Sequence, residues 1–144
     1  MFKKIFILAL CTGILVAASG CVFGPPPNCG DTIGGVADTA KYDQYFNNMT
    51  LISQTSGNSG PEGENGQQYA INEALAIQLD VKSEVTVRAC IQPFNGDNSL
   101  TLDENKTFST GQGSFDLGSF QKGNYVIRVI VDNTLVKNFP FSVK

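Results

Sequence analysis

Histidine and tryptophan are both absent from the 144 residues. Without histidine, no imidazole is available to activate a nucleophile, ligate zinc or switch charge near neutral pH. Serine and threonine are plentiful, but no Gly-x-Ser-x-Gly turn presents one of them as a nucleophile. A basic stripe is also missing. Once Lys3 and Lys4 at the front are set aside, eight basic side chains face thirteen acidic ones, which argues against nucleic acid as a partner. Length leaves room for one domain.

What is present begins with a short basic start followed by an uncharged apolar run from Ile5 to Ala18 and small residues before Cys21. This is the anatomy of an export signal rather than of a folded domain. Ala18-Ser19-Gly20-Cys21 resembles the lipobox of prokaryotic lipoproteins, with Ala18 where leucine is commonest. The resemblance implies cleavage after Gly20 and acylation of the Cys21 thiol, so that the chain meets the membrane through an N-terminal lipid. Ala18-Ser19-Gly20 also suits an ordinary signal peptidase, and Ile5–Phe23 is nineteen uncharged residues, enough for a retained membrane helix. From Val22 to Gln44 the chain is rich in Pro, Gly, Asn and Asp, with Pro25-Pro26-Pro27 semi-rigid and extended at its head. The organisation expected is a signal peptide at 1–20, a lipid-anchored tether at 21–45 and a folded domain at 46–144.

Within that domain the strongest signal is period-2 alternation, which marks half-buried strands. It predicts strands at Phe46–Ser53, Ala74–Val81 and Glu84–Gln92, weaker ones at Ser99–Leu102 and Thr107–Ser109, and a short one at Phe115–Leu117. A long C-terminal hairpin follows. Ala74–Val81 also has helix-forming composition, but the spacing of Leu75, Ile77, Leu79 and Val81 favours a strand. In the hairpin, Tyr125, Ile127, Val129 and Val131 share one face. A type I turn through Val131 and Asp132, with Asn133 left-handed, would pair Val129 with Leu135 and Tyr125 with Phe139. Thr55–Gln68 has almost nothing apolar and reads as a long surface loop. About seven short strands without a convincing helix predict an all-β, two-sheet antiparallel sandwich.

Leu117-Gly118-Ser119-Phe120-Gln121-Lys122-Gly123-Asn124-Tyr125, running into Val126-Ile127-Arg128-Val129-Ile130-Val131, resembles the start of the penultimate strand in immunoglobulin-like and fibronectin-like domains. The resemblance implies that Gly123 permits a tight turn, that Tyr125 bonds back to the backbone as a tyrosine corner, and that Phe120 plugs the space before it. The Cys–Trp–Cys core of antibody domains is missing.

Four cysteines remain to be placed. Cys11 leaves with the signal peptide and Cys21 takes the lipid, so Cys29 and Cys90 survive as a pair that an oxidising compartment would bridge. Two free thiols or an intermolecular bond are the other outcomes. Strand parity turns Cys90 outward, beside Arg88 and Gln92, where it would receive the tether. Asn95-Gly96-Asp97-Asn98-Ser99 and Asp103-Glu104-Asn105 offer oxygen ligands of the kind calcium accepts. Neither has EF-hand spacing, and such residues form turns by their own backbone chemistry, so Asp103-Glu104 is expected in a solvated turn and no metal or cofactor is expected. Asn48-Met49-Thr50 and Asn105-Lys106-Thr107 fit the N-glycosylation pattern. Together these point to an envelope lipoprotein with an Ig-like domain that binds an envelope protein or glycan and is not an enzyme. The alternative is a structural accessory domain of a larger surface assembly.

Overall fold

The computed structural model describes residues 35–94 and 100–144. The signal peptide, Cys21, Cys29, most of the tether and residues 95–99 lie outside the described residues. In chain order the elements are α1 (Thr39–Tyr45), β1 (Phe46–Ser53), β2 (Glu62–Gly63), β3 (Gly66–Tyr69), β4 (Ala74–Val81), β5 (Val85–Pro93), β6 (Leu102–Phe108), β7 (Gly111–Ser119), β8 (Gly123–Val131) and β9 (Thr134–Val143). One sheet has the order β1-β4-β7 and the other β2-β3-β9-β8-β5-β6. The fold is all-β, but two details correct the sequence reading. Among the described residues nine strands form instead of about seven, and the larger sheet is mixed, because β3 runs parallel to β9.

Alternation decides which side chains meet between the sheets. On β4, Leu75, Ile77, Leu79 and Val81 are buried; Val85, Val87, Ala89 and Ile91 do the same from β5, and Ile127, Val129 and Val131 from β8. Phe115 and Phe141 join them from β7 and β9. The apolar period of Ala74–Val81 thus prevails over its helical composition, since one strand face closes the core that a helix would leave half open.

Residues 39–45, expected inside the tether, form a helix. The Asp38 carboxylate caps it by accepting from the Lys41 backbone N–H at 2.9 Å, an arrangement that stabilises a helix start by about 1 kcal/mol. Tyr42 and Tyr45 pack against the core, where burial pushes the Tyr42 hydroxyl above its ordinary pKa. The Asp38 N–H donates to the Leu135 carbonyl at 2.8 Å, so this stretch is docked on β9.

Three segments depart from the expected local structure. First, the β8–β9 turn has two residues, not three. Asp132 and Asn133 both have positive φ, 46° and 59°, and Val131 pairs with Thr134. Such a left-handed pair matches the twist of its strands better than a type I turn does. Lys41 holds the Asp132 carboxylate at 3.2 Å and the Tyr45 hydroxyl donates to it at 3.3 Å. A bulge follows: Ile130 pairs with Leu135 but Val129 with Lys137, leaving Val136 as the extra residue. Tyr125 therefore pairs with Phe141 instead of Phe139. Val136 enters the main core and Leu135 moves to the other face.

Second, Leu102–Phe108 is one continuous strand instead of two weak ones separated by a solvated turn. Its residues 103–107 are exposed, so an edge strand formed here without any apolar alternation to announce it. Third, the expected loop at 55–68 contains β2 and most of β3. Tyr69 is buried, and its hydroxyl donates to the Leu51 carbonyl at 3.0 Å. Gly66 has φ +90°, and a Cβ there would overlap the Pro140 carbonyl, which is why only glycine brings β3 onto β9.

Candidate functional site

The same alternation that fills the core sends a second set of side chains to the outer face of the six-stranded sheet. Thr86, Arg88, Cys90 and Gln92 project from β5. Across β6 they meet Thr107, Asn105 and Asp103; across β8, Ile130, Arg128 and Val126. Arg128 in turn pairs with Asn138 on β9, and Ile130 with Leu135.

Charge-assisted bonds organise the β5–β6 side. Arg88 Nε donates to Asp103 Oδ1 at 2.7 Å and its terminal nitrogen to Oδ2 at 2.8 Å, the planar two-bond geometry that guanidinium and carboxylate favour. These bonds hold the Asp103 carboxyl below the usual carboxylate range, against a smaller opposing push from desolvation. The same bonds raise Arg88 further above its ordinary value. Beside this pair, the Thr86 and Thr107 hydroxyls share a hydrogen bond of 2.8 Å. Asp103 therefore corrects the sequence reading: it is a strand residue in an ion pair, not part of a solvated turn. Alternation alone could not show this, because β6 is apolar only at its ends, where Leu102 lies opposite Ile91 and Phe108 opposite Val85, and polar between them.

The centre of this face is buried. Gln92 is 0% exposed and Arg128 3%, and Arg128 is partnered. Cys90 faces away from the main core, but it is fully buried in a second cluster with Ile130 and Leu135. Outward parity therefore did not mean exposure. Its sulfur lies 3.6 Å from Asp103 Oδ1. At the neighbouring edge of the sheet, the Asn138 amide donates to the Gly35 carbonyl at 3.1 Å, tying the segment before α1 to β9.

A groove of about 210 Å³ opens where this face meets the β8–β9 turn, lined by Thr86, Arg88, Asn105, Ile130, Asp132 and Asn133. It offers hydroxyl, amide, carboxylate and guanidinium groups above one apolar wall, the mixture that orients a polar ligand. A smaller groove of about 180 Å³ lies at the β3–β9 edge beside Glu62, Gln67, Lys137 and Phe139. Among the described residues, no three His, Cys, Asp or Glu side chains stand close enough to hold a metal ion. No described helix is long and apolar enough to cross a membrane.

The other singled-out residues lie elsewhere. The Tyr125 hydroxyl donates to the Gln121 carbonyl at 3.0 Å, and its ring is 5.4 Å from Phe120 and 5.2 Å from Phe141. A Cβ on Gly123 would press on the Tyr125 ring at 3.2 Å. Asn48 is exposed on β1, donating to the Thr50 hydroxyl at 3.2 Å; Asn105 is exposed on β6. Ser119 and Lys122 have Ser-x-x-Lys spacing, and both are exposed around the β7–β8 turn.

No family model matches this chain, and no curated protein matches it. Solved structures do align with it. The superoxide reductase (neelaredoxin) of Ignicoccus hospitalis is 9% identical, with a TM-score of 0.43 over 73% of this chain and 87% of that one. A candidate lipoprotein from Bacillus anthracis is 10% identical, with a TM-score of 0.38 over 57% of this chain and 75% of that one. A β-glucosidase from Listeria innocua is 14% identical, with a TM-score of 0.39 over 67% of this chain and 16% of that one. The neighbours thus include a candidate lipoprotein beside a β-rich fold. The expectation that the chain is not an enzyme is corrected here, because the superoxide reductase among these neighbours is one. At such identity and TM-score the likeness assigns no reaction to this chain.

Proposed function

We propose that this protein is an envelope lipoprotein, exported and anchored through Cys21, whose Ig-like domain binds a partner on the outer face of its six-stranded sheet. The observation that carries the binding assignment is the groove beside Arg88, with its polar groups held in place by the bonds to Asp103, Thr107 and Lys41. Fixed donors and acceptors on a rigid sheet cost little ordering when a ligand arrives. Its partner class is an envelope protein or a glycan.

The Ig-like reading is supported by strand order. With the small β2–β3 hairpin set aside, β1, β4 and β7 face β6, β5, β8 and β9, a three-on-four division found among such sandwiches. The bond from Tyr125 to Gln121 has the form of a tyrosine corner. A Cys29–Cys90 bridge belongs to the same proposal; it is supported by the full burial of Cys90 and by its being partnered. The bridge would fasten the tether to the outer face.

The test has two independent readouts. Wild-type protein should fractionate with membranes and carry a lipid mass on its N-terminal peptide, and Cys21→Ser should not. In capture from intact envelopes, Thr86→Trp should fill the groove and lose a partner that wild type retains, with unchanged melting. Unmodified wild-type protein in the aqueous phase overturns the anchor, and equal capture by Thr86→Trp overturns the groove.

A further inference from the structure

We propose that β6 is a self-recognition edge, through which two copies of this chain pair antiparallel with Asn105 on the two-fold axis. Among the described residues β6 is the last strand of the larger sheet and pairs only with β5. Residues 103–107 are exposed along its seven-residue length. A free edge of that length presents a row of unpaired backbone donors and acceptors to any matching strand.

The charges on the edge decide which strand matches. Asp103 is satisfied by Arg88 within its own chain, which leaves Glu104 and Lys106. Identical antiparallel strands related by a two-fold axis must have that axis pass through a residue. An axis between residues would oppose side chains from different faces, which the pleat forbids. Three central positions are then available. Centred on Glu104, the pairing sets carboxylate against carboxylate, and centred on Lys106, ammonium against ammonium. Both arrangements are destabilising.

Centred on Asn105, every position finds a complement. Glu104 of each copy faces Lys106 of the other, Asp103 faces Thr107, and Leu102 and Phe108 close the ends. The two Asn105 amides meet on the outer face, where each can donate to the other's carbonyl. This register alone uses the whole strand. Lys106 now donates to the Ser114 carbonyl at 2.7 Å and lies 5.3 Å from the Phe108 ring, and an ammonium has donors to spare for a facing carboxylate. Edge charges ordinarily deter pairing; these deter the two registers that flank Asn105, and shifts further out leave most of the strand unpaired. The contact is isologous and closes as a dimer. It also joins the two larger sheets and brings the two Asn105-lined grooves together at the axis. The inference does not depend on what the groove binds.

Sedimentation of the full processed chain in detergent, one copy per micelle on average, tests it. Wild type should show a reversible dimer. Glu104→Lys and Lys106→Glu should each weaken self-association by about tenfold or more, since two attractive pairs become two repulsive ones. Mixed in equal amounts, the two single variants should form a heterodimer at wild-type strength, one copy being doubly basic and the other doubly acidic. Exposure of both positions keeps folding out of the result. As a geometric check, Asn105→Cys should cross-link across the axis, where paired Cα atoms lie about 5 Å apart. Thr107→Cys should not, because its copies stand roughly 13 Å apart in this register. A monomeric wild type, single variants that associate like wild type, or a mixture that yields no heterodimer would each overturn the proposal.

Discussion

On the core side of the six-stranded sheet, Val87, Ala89, Ile91, Ile127 and Val129 are fully buried in one apolar cluster fed by both sheets. On its outer side the buried positions include Cys90, Gln92, Arg128 and Ser142, beside the apolar Val126, Ile130 and Leu135. The two faces thus reach similar burial by different means. Apolar side chains need only volume and company, so the core side tolerates any set of the right size. A buried guanidinium or amide needs a particular partner in a particular place. The Arg88–Asp103 pair is such a contact on the outer face, and there a changed side chain should alter recognition before it alters folding.

Truncating one isoleucine on each face is the most direct way to break this comparison. Ile127→Ala should cost about 4 kcal/mol, near the top of the range for buried aliphatic truncations, because the large cluster around it cannot collapse into the space. Ile130→Ala should cost about 2 kcal/mol, since its cluster contains only Cys90 and Leu135 besides itself. Urea unfolding of both variants measures the difference. Equal losses would mean that the outer cluster is as rigidly packed as the core.

A smaller effect is expected where a polar bond borders the core. Tyr125→Phe keeps the ring stacked on Phe141 and beside Phe120 and removes only the bond to the Gln121 carbonyl. The expected loss is about 1 kcal/mol. A loss as large as that of Ile127→Ala would show that the hydroxyl fixes the whole β7–β8 turn.

How much of this was legible in the sequence follows the same division. The core-facing residues of β4, β5 and β8 could be read from period-2 alternation, and the limits of β1 and β4 with them. The charge pair Arg88–Asp103 could not, because β6 is polar throughout between Leu102 and Phe108 and the pair joins residues fifteen apart in the chain. The bulge at Val136 was hidden for a related reason. Lys137 interrupts the alternation of Leu135, Phe139 and Phe141, but only the two-residue turn at Asp132-Asn133 makes the extra residue necessary. Likewise the helix at 39–45 offers just two tyrosines to the core, too few to show a helical period. The groove takes residues from β5, β6, β8 and the β8–β9 turn, so it exists only once those registers are set.

The smallest effect expected also gives the sharpest separation of the two faces, because it depends on pH. Arg88 holds Asp103 below its ordinary value of about 3.9 through two hydrogen bonds. A carboxylate whose folded pKa is depressed contributes stability that is fully present above its unfolded pKa. That contribution is lost as pH falls through the folded value. Asp103→Asn removes the charge while retaining the shape. It should cost only about 0.5 kcal/mol at pH 7, because the pair is partly exposed to solvent. The gap between wild type and Asp103→Asn should narrow as pH is lowered from about 4 towards 2, where wild type loses the charge as well. Ile127→Ala lies in an apolar cluster, and its deficit should be the same throughout that range. Parallel urea titrations at pH 7, 4 and 2.5 distinguish the two behaviours. If the Asp103→Asn gap stayed constant with pH, the Arg88 pair would contribute through shape alone, and the electrostatic account of the outer face would fail at its best-defined bond.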